Sequence, residues 1–286
     1  MIRIPPAEVE RVVRQALEED LGWGDVTTDS LIAPSLRASG QIVAREPGVL
    51  AGLEVAIAVF KQVDASIEAR AHKADGDRLM RDDIVVTVAG PAAALLRAER
   101  TALNFLQRLS GVATQTSRYV EQVGNLPARV IDTRKTTPGL RSMEKYAVRM
   151  GGGHNHRHGL GDGVLVKDNH LVALSLEGAG IGEAVRRARA RVPHTIKIEV
   201  EADTLDQVKE ALEAGADLIL LDNMSTDELR AAVSLANGRA VLEASGGVTL
   251  DTIRSIAETG VDLISVGALT HSVRALDLAL DFDLDG

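Results

Sequence analysis

No cysteine occurs in the 286 residues, which excludes disulfides, thiolate nucleophiles and cysteine-ligated zinc or iron–sulfur centres. Aromatics are nearly as scarce. Three Phe, two Tyr and one Trp are too few for the stacking platforms of single-strand nucleic-acid binders. Positive charge is in deficit as well: 32 Lys and Arg against 41 Asp and Glu leave a net charge of −9, a field that repels polyanions. Nucleic acid is therefore not an expected partner. No uncharged apolar run approaches the ~20 residues that span a bilayer. Met1-Ile-Arg-Ile-Pro-Pro6 opens onto a charged amphipathic segment without the apolar stretch of a signal peptide. The expectation is a soluble, cytoplasmic protein with no membrane partner.

What is present is a chain long enough for two domains, 45% hydrophobic, and so able to bury a sizeable core. Val9, Val12, Val13, Ala16 and Leu17 recur at helical spacing over 6–20, with Pro5-Pro6 where a first turn tolerates proline. Short β-rich runs follow between Ala38 and Gly90, with a helix near 53–63, and the Gly76-Asp77 pair reads as a β-turn. From Pro91 to Gly124 an apolar stripe of Leu95, Leu96, Ala102, Leu103, Leu106 and Leu109 marks a helix. Its other face carries Arg97, Arg100, Asn104 and Arg108, and by itself reads as a solvated basic face.

After Ala128 short apolar strands alternate with helical segments: 129–132, 163–166, 195–200, 217–221, 239–242 and 262–266. Such units build a parallel sheet. Six strands fall short of an eightfold barrel, so an incomplete, compact parallel α/β barrel is expected, with an open doubly wound sheet as the alternative. The tail from Leu276 to Leu284 alternates with period two and reads as a strand returning to the first domain. The division expected is 1–112 with 273–286 for an N-terminal open α/β domain, and 113–272 for the barrel.

Catalytic groups of α/β barrels gather where strands end. Here the first strand runs into Thr133-Arg134-Lys135 and the second into Lys167-Asp168-Asn169-His170; the next two end in Glu201 and in Asp222-Asn223. Cations on two successive ends followed by carboxylates on the next two point to function rather than packing. Alternation puts Lys197, Glu199 and Glu201 on one face of their strand, with Lys197 and Glu199 expected as a pair and Glu201 at the rim. The last two strands end in Ser245-Gly246-Gly247 and Gly267-Ala-Leu-Thr-His271, loops whose backbone N–H groups can approach a phosphate. Between the first two strands lies Gly151-Gly-Gly-His154-Asn-His156-Arg157-His158. If extended, its three imidazoles would share one face, as a zinc site requires, while Arg157 suits an anion site better.

Taken in order, Glu19-Asp-Leu-Gly-Trp-Gly-Asp-Val-Thr-Thr28, Ala98-Glu-Arg-Thr-Ala-Leu-Asn104, Asp132-Thr-Arg-Lys-Thr136, Lys145-Tyr-Ala-Val-Arg149, Asn155-His-Arg157, Lys167-Asp-Asn-His170, Glu199-Val-Glu201, Leu220-Leu-Asp-Asn223, Ser245-Gly-Gly247 and Val266-Gly-Ala-Leu-Thr-His-Ser272 resemble the quinolinate phosphoribosyltransferase family over almost the whole chain. The resemblance implies transfer of phosphoribosyl from phosphoribosyl pyrophosphate to quinolinate with decarboxylation. The products would be nicotinate mononucleotide, pyrophosphate and carbon dioxide, in NAD biosynthesis. It implies a homodimer in which the N-terminal domain of one subunit caps the incomplete barrel of the other. Arg100 would then reach the neighbouring site, while Thr133, Arg134, Lys135, His156, Arg157 and Lys167 surround the pyridine dicarboxylate. Glu201 and Asp222 would hold Mg2+ and the ribose hydroxyls, with Lys135 beside them as the catalytic set. Ser245, Gly246, Gly267 and His271 would take the 5-phosphate, and His154 and His158 receive no role. Two other readings compete: a Schiff-base aldolase working through Lys167, and a phosphosugar-binding protein without catalysis.

Overall fold

The computed structural model describes residues 3–283, and Leu284, the last residue of the expected tail strand, lies outside them. It divides into two compact units. Among the described residues the first comprises 3–117, 136–152 and 269–283, and the second 118–135 and 153–268.

The first unit begins with α1 (Pro6–Leu21) and α2 (Val26–Leu31), the latter capped by the Asp25 carboxylate accepting from Thr28 N–H. In α1, Val9, Val12, Val13 and Leu17 are buried, and burial of each such side chain contributes about 1.5–3 kcal/mol relative to exposure. Strands β1 (Arg37–Ala44) and β2 (Gly48–Val49) lead to α3 (Leu53–Val63), then β3 (Glu68–Ala71), β4 (Arg78–Leu79) and β5 (Ile84–Pro91). Helix α3 starts at Gly52, whose φ of 93° leaves no room for a side chain, since a Cβ there would sit 2.6 Å from Leu109 Cδ1. The Asp75 carboxylate caps this start, accepting from the Gly52 and Leu53 N–H groups at 3.0 Å each. Helix α4 (Ala92–Val123) follows; its turns from Arg118 onward belong to the second unit.

Strand β6 (Arg129–Ile131) and helix α5 (Arg141–Met150) come next, then β7 (Val164–Val166), α6 (Asp168–Ser175), α7 (Ile181–Arg191), β8 (Ile198–Ala202), α8 (Leu205–Glu213), β9 (Leu218–Asp222) and α9 (Thr226–Ala236). The chain finishes with β10 (Val241–Ser245), α10 (Ile253–Ala257), β11 (Leu263–Ser265), α11 (Ala268–His271) and β12 (Leu278–Asp283). Strand β12 pairs antiparallel with β1, completing a four-stranded sheet of order β12-β1-β5-β3 in the first unit. The tail is thus a strand of the N-terminal sheet.

The second unit holds a six-stranded parallel sheet of order β6-β11-β10-β9-β8-β7. Successive strands from β7 to β11 are neighbours, unlike the reversing order of a doubly wound sheet. Among the described residues no ladder joins the two edges, β6 and β7, so no closed barrel is found. Ile198, Val200, Ile219, Leu221, Leu242, Ala244 and Ile264 are buried on one face. The other face carries Leu165, Glu199, Glu201, Leu220, Asp222, Glu243, Ser245 and Ser265, because side chains alternate along a strand and the parallel register carries each face across.

The expected strand at 195–200 lies later, at 198–202, because the ladder to β9 runs through Glu201 and Ala202 while Lys197 precedes it. The expected Lys197–Glu199 pair does not form. Lys197 is exposed and meets Asp217 at 3.4 Å, whereas Glu199 is buried and faces His156. Nor is the whole basic face of α4 solvated. The Arg108 guanidinium donates to the buried Glu144 carboxylate at 2.8 and 3.2 Å and to the Val273 carbonyl, all within the first unit.

Candidate active site

The polar face of the parallel sheet borders a cavity of about 620 Å³, of the size small-molecule sites occupy. Thr133, Arg134, Lys135, His156, Arg157, Lys167, Glu201, Asp222, Ser245 and Gly246 all line it, together with Asn223, Gly247, Glu243 and Ser265. Ten of the thirteen residues singled out by the sequence are therefore gathered around one space. The other three stand elsewhere: Arg100 is exposed on α4 in the first unit, His271 closes α11 with Nδ1 2.6 Å from Ser272 Oγ, and Gly267 precedes that helix without lining the cavity.

Asp132 organises the wall. Fully buried at the end of β6, it accepts from Asn155 Nδ2 at 2.7 Å and from the His156 N–H at 2.8 Å. The bridge between Ile131 and His154 holds the same segment against β6, with His154 N–H donating to Val130 O at 2.8 Å. A buried carboxylate with two donors is a stable anchor. It delivers His156 and Arg157 to the cavity, and Arg157 Nη1 then donates to Gly163 O at 2.9 Å. Burial, and next the neighbouring Arg134 cation, lower Arg157 from its ordinary value, while Glu199 and Asp162 oppose the shift.

Lys167 and Glu201 form a close ion pair across β7 and β8. On the next strand Asp222 accepts from Asn223 Nδ2 at 2.7 Å. Asn223 has a φ of 55°, and Gly246 packs so closely on it that a Cβ would meet Asn223 Oδ1 at 2.2 Å. Gly246 and Gly247 both have positive φ, 94° and 58°. Glycine here serves close backbone approach.

The three histidines of the 151–163 segment do not converge. His154 lies in the bridge to β6, His158 is exposed, and its N–H donates to Asp162 Oδ2 at 2.6 Å. Only His156 turns inward, its Nε2 3.3 Å from Glu199 Oε2 and 3.6 Å from Glu243 Oε2. Among the described residues these three are the one group of His, Asp and Glu with a metal-binding arrangement, their ligand atoms all within 4.8 Å of one another. His156 Nδ1 already accepts the Arg157 N–H at 2.6 Å. That leaves Nε2 as the ring nitrogen that faces the two carboxylates.

Glu243 is the charged cavity residue that sequence reasoning missed, and Ser265 beside it was missed as well. Glu243 is 1% exposed, and its carboxyl is pushed up to about 8, by burial first and by the charge of Glu199 next. The available signal was a lone charge inside the apolar run Val241-Leu-Glu-Ala244. The Arg108–Glu144 pair was missed too, because Glu144 sits on a helix face that reads as ordinary amphipathic surface.

A family model for the C-terminal domain of quinolinate phosphoribosyl transferase matches residues 112–281, and one for its N-terminal domain matches 25–110. The chain belongs to the quinolinate phosphoribosyltransferase family. The carboxylating nicotinate-nucleotide pyrophosphorylase of Mycobacterium leprae is 45% identical over 275 residues, covering 94% of this chain and 95% of that protein. A decarboxylating quinolinate phosphoribosyltransferase of Nicotiana glauca is 40% identical over 98% of this chain and 84% of its own. The solved nicotinate-nucleotide pyrophosphorylase of Francisella tularensis superposes with a TM-score of 0.93 at 39% identity, covering 98% of both chains.

Proposed function

We propose that this member of the family transfers phosphoribosyl from phosphoribosyl pyrophosphate to quinolinate with loss of carbon dioxide, and that the cavity on the parallel sheet is where it does so. One observation carries the reading: a single cavity joins a cationic wall, Arg134, Lys135, Arg157 and Lys167 with the His156 ring among them, to a carboxylate edge, Glu201 and Asp222, and to a glycine turn. The two arginines suit the two carboxylates of quinolinate, since a guanidinium can grip a carboxylate through paired hydrogen bonds. The Ser245-Gly246-Gly247 turn suits a phosphate. Gly267 and His271, following the next strand, belong to the same proposed phosphate end.

The chemistry needs no protein nucleophile. The ring nitrogen forms a bond to the anomeric carbon as the bond to pyrophosphate breaks, and the pyrophosphate leaves with its electron pair. The nitrogen is then quaternary. It stabilises the electron pair left on the adjacent ring carbon when the 2-carboxylate departs as carbon dioxide, and a proton completes nicotinate mononucleotide. The protein's contribution is orientation of two anions and electrostatic support of an oxocarbenium-like state.

Glu201 and Asp222 are hard oxygen donors on adjacent strand ends beside the glycine turn, a donor set that fits Mg2+ shared with substrate phosphates. When bound, the ion would neutralise charge on the leaving pyrophosphate. Lys135, exposed at the cavity, would add a cation near that leaving group. The parallel sheet is read as an incomplete barrel opening on this site. A homodimer would let the exposed Arg100 of one copy complete the site of the other, and polyanionic substrates fit a cytoplasmic setting. The test is formation of nicotinate mononucleotide and carbon dioxide from quinolinate and phosphoribosyl pyrophosphate, dependent on Mg2+. Binding of both substrates without turnover would overturn the proposal.

A further inference from the structure

His156 is the only aromatic ring among the described residues that line the cavity. Both of its nitrogens are engaged by the protein. Nδ1 accepts the Arg157 N–H at 2.6 Å, and Nε2 faces Glu199 Oε2 at 3.3 Å and Glu243 Oε2 at 3.6 Å. A half-turn of the ring would replace each nitrogen by carbon and lose both arrangements at once. The ring's backbone is held as well, by Asp132. Glu199 and Glu243 are 4% and 1% exposed, and Oε1 of each has no hydrogen-bond partner. Two buried carboxylates side by side are costly to retain, and apolar residues would pack those strand positions more favourably. Their retention calls for a role beyond packing, and the imidazole they face supplies one.

We propose that Glu199 and Glu243 are positioning residues that hold His156 in a single orientation as its neutral, Nε2-protonated tautomer. The ring therefore enters the site as a fixed uncharged plate rather than as a cation gripping a carboxylate. With both nitrogens engaged by the protein, the surface the ring has left for a ligand is carbon. A planar heteroaromatic substrate can pack on such a surface, while Arg134, Arg157 and Lys167 take its charges. The inference rests on the quinolinate reading for its kinetic consequence, but not for the tautomer itself.

The experiment has two arms. In the ligand-free protein, the 15N–1H histidine spectrum, assigned by the signal lost in His156→Asn, is expected to keep the Nε2–H pattern from about pH 6 to 8, a range where an ordinary histidine titrates. An imidazolium or an Nδ1–H pattern would overturn the proposal, whatever the enzyme's activity. The second arm compares paired substitutions at both carboxylates. Glu199→Leu with Glu243→Leu removes both carboxylates that face Nε2, and is expected to mix the tautomers and raise KM for quinolinate about tenfold, equivalent to about 1.4 kcal/mol. KM for phosphoribosyl pyrophosphate should stay within about twofold. Glu199→Gln with Glu243→Gln keeps an amide oxygen for Nε2–H and should restore both the spectrum and KM to near wild type. A leucine pair with the native spectrum and KM, or a glutamine pair no better than the leucine pair, refutes the positioning role. If the leucine pair does not fold, the wild-type spectrum and the glutamine pair still decide. Native tautomer in a wild-type protein that does not turn over quinolinate would instead sink the functional reading and leave this one standing.

Discussion

Gly246 and Gly247 sit side by side in the turn after β10, both with positive φ, yet their surroundings differ sharply. A Cβ on Gly247 would meet nothing within 4 Å, whereas one on Gly246 would lie 2.2 Å from Asn223 Oδ1 and 3.0 Å from the Asn223 backbone nitrogen. Alanine at either position incurs the left-handed backbone cost, about 1–2 kcal/mol. Only Gly246→Ala adds an overpacking cost, about 1–3 kcal/mol. The expected losses are therefore about 1–2 kcal/mol for Gly247→Ala and about 2–5 for Gly246→Ala. At about 2–4 °C per kcal/mol, calorimetry should find the Gly246→Ala melting temperature lower than that of Gly247→Ala by several degrees. Relief of the clash must move Asn223, which is bonded to Asp222 and carries its own positive φ. Gly246→Ala should thus also disturb the Asp222 carboxylate and lower kcat. Equal melting temperatures for the two variants would refute the reasoning, since the packing difference is the only one invoked.

Nicotinate, lacking the 2-carboxylate, should show a kcat/KM at least about a hundredfold below that of quinolinate, because one cationic partner is left without its anion; comparable values on the two acids would contradict the assigned wall. If Arg100 serves the neighbouring copy, Arg100→Ala and Lys135→Ala should each be nearly inactive alone. Co-refolded in equal amounts they should recover about a quarter of wild-type activity, since half of randomly paired dimers are mixed and one of two sites in each is whole. Mixed dimers proven by mass spectrometry without recovery would return Arg100 to the solvated face. Asp217 tests electrostatic stability away from the site. Burial alone would raise its carboxyl, but the Ile198 N–H at 2.8 Å and then Arg189 and Lys197 outweigh that and hold it below 3.8. Its stabilisation is present above that value and lost as pH falls through the lower, folded one. The melting temperature of Asp217→Asn should lie below wild type at neutral pH and converge on it in acid, and a gap that persists in strong acid would contradict the sign.

The polar groups near strand ends were visible in the chain because strand alternation and strand termini are local properties. Thr133-Arg-Lys135, Lys167, Glu201, Asp222 and Ser245-Gly246 could each be placed at a C-terminal end by counting residues, and the structure brings all of them to one cavity. Strand limits were less legible: the ladder between β8 and β9 extends through Glu201 and Ala202, although the apolar run begins before it. Hydrogen-bond pairing, not hydrophobicity, decides where a strand stops.

Sequence alone carried the alternation of strands and helices after Ala128 and the period-two tail, because each follows from periods of two and 3.6. Tertiary structure alone decided the partners. Lys197 meets Asp217 rather than its strand neighbour Glu199, Lys167 meets Glu201 across a strand boundary, and Glu199 meets Glu243 and His156 from segments far apart in the chain. Which polar group meets which depends on sheet order and register, and these are properties of long-range pairing that no local window of residues contains.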